Sequence, residues 1–206
     1  PLERFWSGSI TATVDDSSVA HVVWTRRLVT GTGVLSETVS YSTVDDQCTS
    51  TVPQDLMEPL PMNLGDYFGV DIDQQDDLVV IAGCLRDLSS GSAFEPLESI
   101  FTLHGEDPQS ASEWELVENV IEDIDAMSEP DVEIEVEIGE DLLHLLYISS
   151  RNDTSSEDVL GLWYAHGILG ESSWTYKRAI AVEGSSPTMA VDEVNDEDRI
   201  AIGWIE

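Results

Sequence analysis

Residues 142–147 read LLHLLY, and three other segments repeat this short apolar pattern: VAHVVW (19–24), LVVIAG (78–83) and RIAIGW (199–204). The last residues of the four segments, taken in chain order, lie 59, 64 and 57 positions apart. A short alternating segment precedes each of them, and these read ITATVD, YFGVDID, DVEIEVE and TMAVDEV. Alternation of polar residues with Val, Ile and Thr is typical of half-buried β-strands. The chain therefore repeats a pair of strands at intervals of about 60 residues.

Two further strands complete each unit. The third strand reads LSETVSYSTV, LESIFTLHG and VLGLWYAHG in successive units, and the fourth carries Trp114 or Trp174. In the first unit the fourth position is the Pro-rich stretch CTSTVPQDLMEPLPM, which predicts an irregular edge strand. The segment ASEWELVENVIEDIDAM is also compatible with a helix, but the repeat predicts a strand there.

Four antiparallel strands repeated radially form the blades of a β-propeller. We therefore predict an all-β fold, a β-propeller of four-stranded antiparallel blades, with about 3.5 blades in this chain. The repeats of this single domain or fragment cover about residues 9–65, 66–128, 129–185 and, in part, 186–206, and ERFWSG is expected to be a fourth strand that precedes them. Because a partial blade exposes a strand edge, we expect further copies or the rest of a longer propeller to complete the ring.

The composition is strongly acidic, with 42 Asp and Glu against 8 Lys and Arg and a formal net charge of −34. Acids spread along the whole chain favour a salt-adapted organism over many bound cations. The charge argues against DNA, RNA or an anionic membrane as a partner, and no apolar run of about 18 residues predicts a membrane helix. Cys48 and Cys84 are too few for a disulfide scaffold, and whether they pair stays open.

Two hairpins carry a family resemblance. They read HGEDPQSASEW (104–114) and HGILGESSW (166–174), and the second contains Gly170 and Trp174. With the P-x-hydrophobic-x-V-D pattern of the first strands, they resemble the Asp-box repeat, S-x-D-x-G-x-T-W, of sialidase-like propellers with bacterial-neuraminidase repeats. The resemblance spans nearly the whole chain and implies blade architecture. Neither hairpin keeps the Asp of the box and no R-I-P segment occurs, so no catalytic residue is carried over.

A second resemblance lies in VDIDQQDDLVV (70–80), which is similar to the calcium-loop repeat of integrin-like propellers, D-x-[DN]-x-D-G-x-x-D-L. Its acids are Asp71, Asp73, Asp76 and Asp77. Oxygen ligands at alternating positions can surround Ca²⁺. The segment lacks the Gly of that loop, so we favour a solvated acidic turn and no cofactor, with calcium at these four residues as the alternative.

Basic residues recur at one position of the repeat. Arg26, Arg27, Arg86 and Arg151, four of the eight basic residues, follow the second strands, where propellers commonly present a binding face. Guanidinium groups pair bidentately with carboxylate or sulfate, so this position predicts a site for an anionic ligand. The competing interpretation is that each Arg neutralises neighbouring acids.

These features lead to a functional hypothesis. We expect a non-catalytic propeller module of a salt-adapted microbe, extracellular or on the cell surface, that binds a protein or a glycan, with an anionic glycan as one option. The alternatives are a fragment of a sialidase-like glycoside hydrolase and an architectural propeller fragment that self-assembles. His21 and His144 occupy equivalent strand positions and are interpreted as core or inter-blade histidines.

Overall fold

Fifteen β-strands make up the regular structure, and no helix occurs among the described residues. The computed structural model describes residues 4–29, 35–57, 60–61, 65–87, 97–106, 114–122, 134–139, 142–149, 161–171, 174–180, 185–193 and 198–205. Within those ranges nothing resembles a helix long and apolar enough to cross a membrane.

The strands form four antiparallel sheets that follow one another along the chain. Blade 1 contains β1 (Arg4–Val14), β2 (Ala20–Val29), β3 (Leu35–Val44), β4 (Gln54–Asp55) and β5 (Leu60–Pro61). Blade 2 contains β6 (Gly65–Gln75), β7 (Leu78–Asp87), β8 (Leu97–Glu106) and β9 (Trp114–Glu122). Blade 3 contains β10 (Ile134–Ile138), β11 (Leu143–Ser149), β12 (Gly161–Gly167) and β13 (Trp174–Ile180). Blade 4 is the pair β14 (Ser185–Glu193) and β15 (Asp198–Ile205).

This arrangement confirms the predicted all-β propeller fold of four-stranded blades. The described part of the helix-compatible segment, Trp114–Glu122, forms strand β9. The Pro-rich stretch of blade 1 provides two short strands, β4 and β5, that both pair with β3. One expectation was wrong. ERFWSG is not a fourth strand of a preceding blade, because residues from Arg4 onward form the first half of β1 and pair with the end of β2. The predicted strand begins at Ile10, and a register shift between Ser7 and Ile10 separates it from the N-terminal part of β1.

Blade 2 buries its two faces in different clusters, because successive side chains of a strand point to opposite faces. In β7, Val79 and Ile81 pack with Val23 and Tyr41 of blade 1. The alternate residues of β7, Val80 and Ala82, pack with blade 3 residues, among them Ile134, Val136 and Tyr147. A third cluster joins Leu146 and Tyr164 of blade 3 to Met189 of blade 4. We call the face turned to the preceding blade the rear face, and the opposite one the front face.

Cross-strand contacts between Gly and Trp explain the repeated His-Gly and Trp of the third and fourth strands. Gly105 lies opposite Trp114, and Gly167 lies opposite Trp174. A Cβ atom at Gly167 would come within 2.6 Å of the Trp174 ring, and one at Gly105 within 3.3 Å of the Trp114 ring. The glycines are therefore required by the indole that covers them. Cys48 and Cys84, the two cysteines of the chain, are both described and form no disulfide bond.

Candidate functional site

Four carboxyl groups lie on the first strands of blades 2 and 3. Asp71 and Asp73 alternate along β6, and Glu135 and Glu137 alternate along β10. The apolar residues between them are buried, including Ile72 and Val136, so all four acids belong to the opposite, polar face of their strands. We call these four residues the carboxyl cluster.

Asp71 connects three blades. The Thr11 hydroxyl of blade 1 donates a hydrogen bond to its Oδ1 at 3.0 Å, and the backbone N–H of Val136 in blade 3 donates to its Oδ2 at 2.9 Å. Burial raises the pKa of this carboxyl group, while these donors act in the opposite direction. Asp71 therefore fixes the spacing of adjacent first strands.

Asp73 makes an equivalent contact two residues further along β6. Its Oδ2 accepts the backbone N–H of Ile138 at 2.8 Å, and its Oδ1 accepts that of Gln74 at 2.7 Å. Burial raises its pKa, against the effect of these two donors. Strand β10 is an edge strand of its sheet. The two aspartates therefore accept hydrogen bonds from the Val136 and Ile138 amides, which point away from the neighbouring strand β11.

Glu137 differs from both aspartates in its electrostatics. Burial raises its pKa to about 7, and the negative charges of Asp73, Asp71 and Glu135 add to the shift. A carboxyl group with such a pKa exchanges its proton near neutral pH and can either donate or accept a hydrogen bond. Chemically, the cluster offers one protonatable group beside two aspartates held by backbone amides.

The four acids of the calcium interpretation divide into two pairs. Asp71 and Asp73 lie on β6 and accept the backbone hydrogen bonds described above, whereas Asp76 and Asp77 are exposed in the turn that follows. The backbone of Asp76 is left-handed, with φ of 52°. Among the described residues, no three or more His, Cys, Asp or Glu side chains are grouped so that they could hold a metal ion.

The arginines of the predicted anionic site are described only in part. Arg26 lies on β2 and pairs with the Asp55 carboxylate, with Nη2 and Oδ2 at 2.5 Å. Arg27 and Arg86 also lie within strands, opposite Trp6 and Asp66, and their side chains are outside the described structure. Arg151 lies outside the described residues altogether. The contact of Arg26 is of the charge-neutralising kind.

Two buried histidines form a repeated arrangement that we did not predict in full. His144 Nδ1 lies 2.8 Å from the Tyr164 hydroxyl, and its Nε2 lies 3.0 Å from Asp198 Oδ2 of blade 4. His21 has the same kind of partners, Tyr41 at 2.6 Å and Asp15 at 3.3 Å. The signal was present in the sequence, since each Tyr follows its His by 20 residues.

The His144 arrangement is part of the contact between blades 3 and 4. His144 is 1% exposed, and burial lowers its pKa in spite of Asp198. Burial also raises the pKa of Tyr164 to about 12. A Cβ atom at Gly139 would lie 2.4 Å from Asp198 Oδ2, so a glycine is needed for the aspartate to reach the imidazole. These buried groups serve blade packing, as expected of an inter-blade histidine.

Comparison with known proteins gives a likeness of fold. No family model matches the sequence, and no curated protein sequence matches it. Among solved structures, the chain is similar to Zg3597, a family 117 glycoside hydrolase produced by the marine bacterium Zobellia galactanivorans. The TM-score is 0.55 at 11% sequence identity, over 98% of this chain and 72% of that chain. The chain thus shares its propeller-like fold with a glycoside hydrolase.

Proposed function

We propose that this chain is a glycan-binding β-propeller module in which the carboxyl cluster contacts the sugar. The observation that carries the proposal is the half-buried Glu137 carboxyl group with a pKa of about 7. Sugars present hydroxyl groups that both donate and accept hydrogen bonds, and a carboxyl group near its pKa can serve either role. The fold likeness to a glycoside hydrolase agrees with a carbohydrate ligand, although folds of this kind serve many functions.

The ligand is expected to be a neutral glycan at this site. Three further carboxyl groups surround Glu137, and each ionised one repels an anionic sugar. Asp71 and Asp73 already accept backbone hydrogen bonds, so Glu137 is the member of the cluster on which binding depends most. We also propose that the module binds its ligand outside the cell. The acidic composition suggests that it does so in concentrated salt.

An array of neutral and acidic oligosaccharides tests this proposal with the wild type and three variants in concentrated KCl. Glu137→Ala should weaken binding at least tenfold, whereas Glu137→Gln should retain most of it because an amide still donates and accepts. Glu118→Ala alters an exposed acid of β9 and should bind like the wild type. A folded wild-type chain that binds none of the oligosaccharides would contradict the proposal.

Hydrolysis of a glycoside is the second candidate function. A carboxyl group with a pKa near 7 suits a general acid, and glycoside hydrolysis also needs a second carboxylate. The engagement of Asp71 and Asp73 with backbone amides favours binding without catalysis. Release of reducing ends by the wild type, and a loss of at least about 100-fold in Glu137→Gln with binding retained, would favour the hydrolase.

The anionic-glycan option depends on the recurrent arginines. If Arg27, Arg86 and Arg151 bind a carboxylate or sulfate, their replacement by Ala should abolish binding of acidic oligosaccharides and leave neutral ones unaffected. Arg26→Ala is the matched control, because Arg26 already pairs with Asp55. Unchanged binding of acidic oligosaccharides by the triple variant would remove this option.

A further inference from the structure

The rear face of blade 1 leaves apolar side chains uncovered. Ile10 and Val14 of β1 are each 64% exposed. The register places Ile10 opposite the last residue of the repeated second-strand segment, as it places Val70 in blade 2 and Ile134 in blade 3. Those two equivalents are only 4% and 5% exposed, because each packs against the preceding blade. The rear faces of blades 2, 3 and 4 are therefore covered by the preceding blade, whereas the rear face of blade 1 is open.

The uncovered apolar strip is two strands wide. Cross-strand partners share a face, so Ile10 lies beside Trp24, and Val14 beside Ala20. Beyond β2 the same face becomes polar, because Trp24 lies opposite Ser40 of β3. The Ser40 hydroxyl is satisfied within the blade, where it donates to Asp55 Oδ1 at 2.8 Å. A partner that fits this face therefore covers β1 and β2 and leaves β3 alone.

Blade 4 offers a surface of that width, since its described part is the two-stranded pair β14 and β15. Its rear face packs on blade 3 through Met189. Its front face carries Ala190 opposite Ala201, both exposed, and Ile205, which is 63% exposed. Small side chains allow sheets to approach closely, and Ile205 adds apolar area to the contact.

We propose that the rear face of blade 1 binds the front face of blade 4 in a second copy of this chain. The contact continues the blade-on-blade stacking that already joins blades 1 to 4 within the molecule. The contact is head-to-tail, so the assembly as a whole retains one free face of each kind unless it closes into a ring. A charge of −34 on each copy opposes the contact, so association should strengthen as salt screens the repulsion.

Light scattering coupled to size-exclusion chromatography tests this, from about 0.5 to about 3 M KCl. At high salt the wild type should have the mass of an assembly of two or more copies, each of 22.7 kDa. Ile10→Asp and Ala201→Asp should each weaken association at least tenfold. Val52→Asp, at an 83% exposed loop position outside the strip, should behave like the wild type.

Mixing the two interface variants provides the decisive measurement. Ile10→Asp keeps an intact blade 4, and Ala201→Asp keeps an intact blade 1 face, so the mixture should form a 1:1 complex that neither variant forms alone. Circular dichroism checks that both are folded, and Ile10→Ser replaces Ile10→Asp if the latter is not. A monomeric wild type at every salt concentration, as expected if another polypeptide covers this face, would overturn the proposal. So would a mixture without complex.

Discussion

Glu137 makes the stability of the protein depend on pH in a direction that can be measured. Its pKa rises from 4.5 to about 7 on folding, because burial and three neighbouring carboxyl groups disfavour its charge. The native state therefore binds more protons than the unfolded chain between these values, and the free energy of unfolding falls as pH increases through them. Above pH 7 the penalty is fully present, and below 4.5 it is absent.

Glu137→Gln should accordingly stabilise the protein at pH 8 and have little effect at pH 4. We expect a gain of roughly 1 kcal/mol at pH 8, since the side chain is half-exposed and solvent reduces the full effect of the shift. Urea unfolding at both pH values measures it, with the exposed Glu118→Gln as control. Equal effects of the two substitutions at pH 8 would contradict this account of Glu137.

The two Gly–Trp pairs provide a matched comparison of packing. Gly167→Ala places a methyl group within 2.6 Å of the Trp174 ring, whereas Gly105→Ala places one 3.3 Å from that of Trp114. Overpacking costs about 1–3 kcal/mol, so Gly167→Ala should reach the upper part of that range and Gly105→Ala the lower part. Thermal unfolding followed by tryptophan fluorescence measures both. The reverse order of stability would show that the Trp174 ring moves aside easily.

Sequence reasoning worked best where residues repeat and worst where they meet across blades. The equivalent positions of His21 and His144 were visible, but the contact of His144 with Asp198 joins residues 54 apart through blade stacking. Asp71 is a similar case. Its alternation along β6 suggested metal ligands, and only the neighbouring blade brings the Val136 amide to its carboxylate. Spacing along one strand carries no information on what the next blade presents.

At the level of strands, the hairpins were predicted and one boundary was missed. The period-two pattern starts at Ile10, but β1 begins at Arg4, because the register shift after Ser7 breaks the alternation that reveals a strand. The Pro-rich end of blade 1 was correctly expected to be irregular, since Pro cannot donate a ladder hydrogen bond. The prolines thus indicated that the fourth strand of blade 1 is irregular, as the two short strands β4 and β5 show. The bulge within β1 gave no comparable signal in the sequence.

The contacts between first strands predict how calcium should affect stability. If Asp71 acts through Thr11 and Val136, Asp71→Ala should destabilise the protein by about 1–3 kcal/mol, equally in EDTA and in millimolar CaCl₂. Asp77→Ala, in the exposed turn, should have almost no effect in either buffer. A wild type that gains stability with CaCl₂, and loses that gain in both variants, would instead favour the calcium site.

Because of the net charge of −34, the stability of the whole protein should depend on salt concentration. Repulsion among carboxylates is greater in the compact state than in the expanded one, and salt reduces it over a Debye length of about 3 Å at 1 M. The midpoint of thermal unfolding should therefore rise steeply between about 0.1 and about 3 M KCl.

A charge-reduced variant separates this electrostatic effect from the general effect of salt on apolar burial. Asp16→Asn, Asp46→Asn, Asp77→Asn and Glu118→Gln together change four exposed acids and reduce the net charge from −34 to −30. At low salt this variant should unfold at a higher temperature than the wild type. The difference should shrink as KCl is added, because salt screens the same carboxylate repulsion that the substitutions remove. The same substitutions leave the carboxyl cluster intact, so glycan binding should persist. A constant difference at all salt concentrations would mean that these acids act through local contacts and that the fold tolerates its charge without screening.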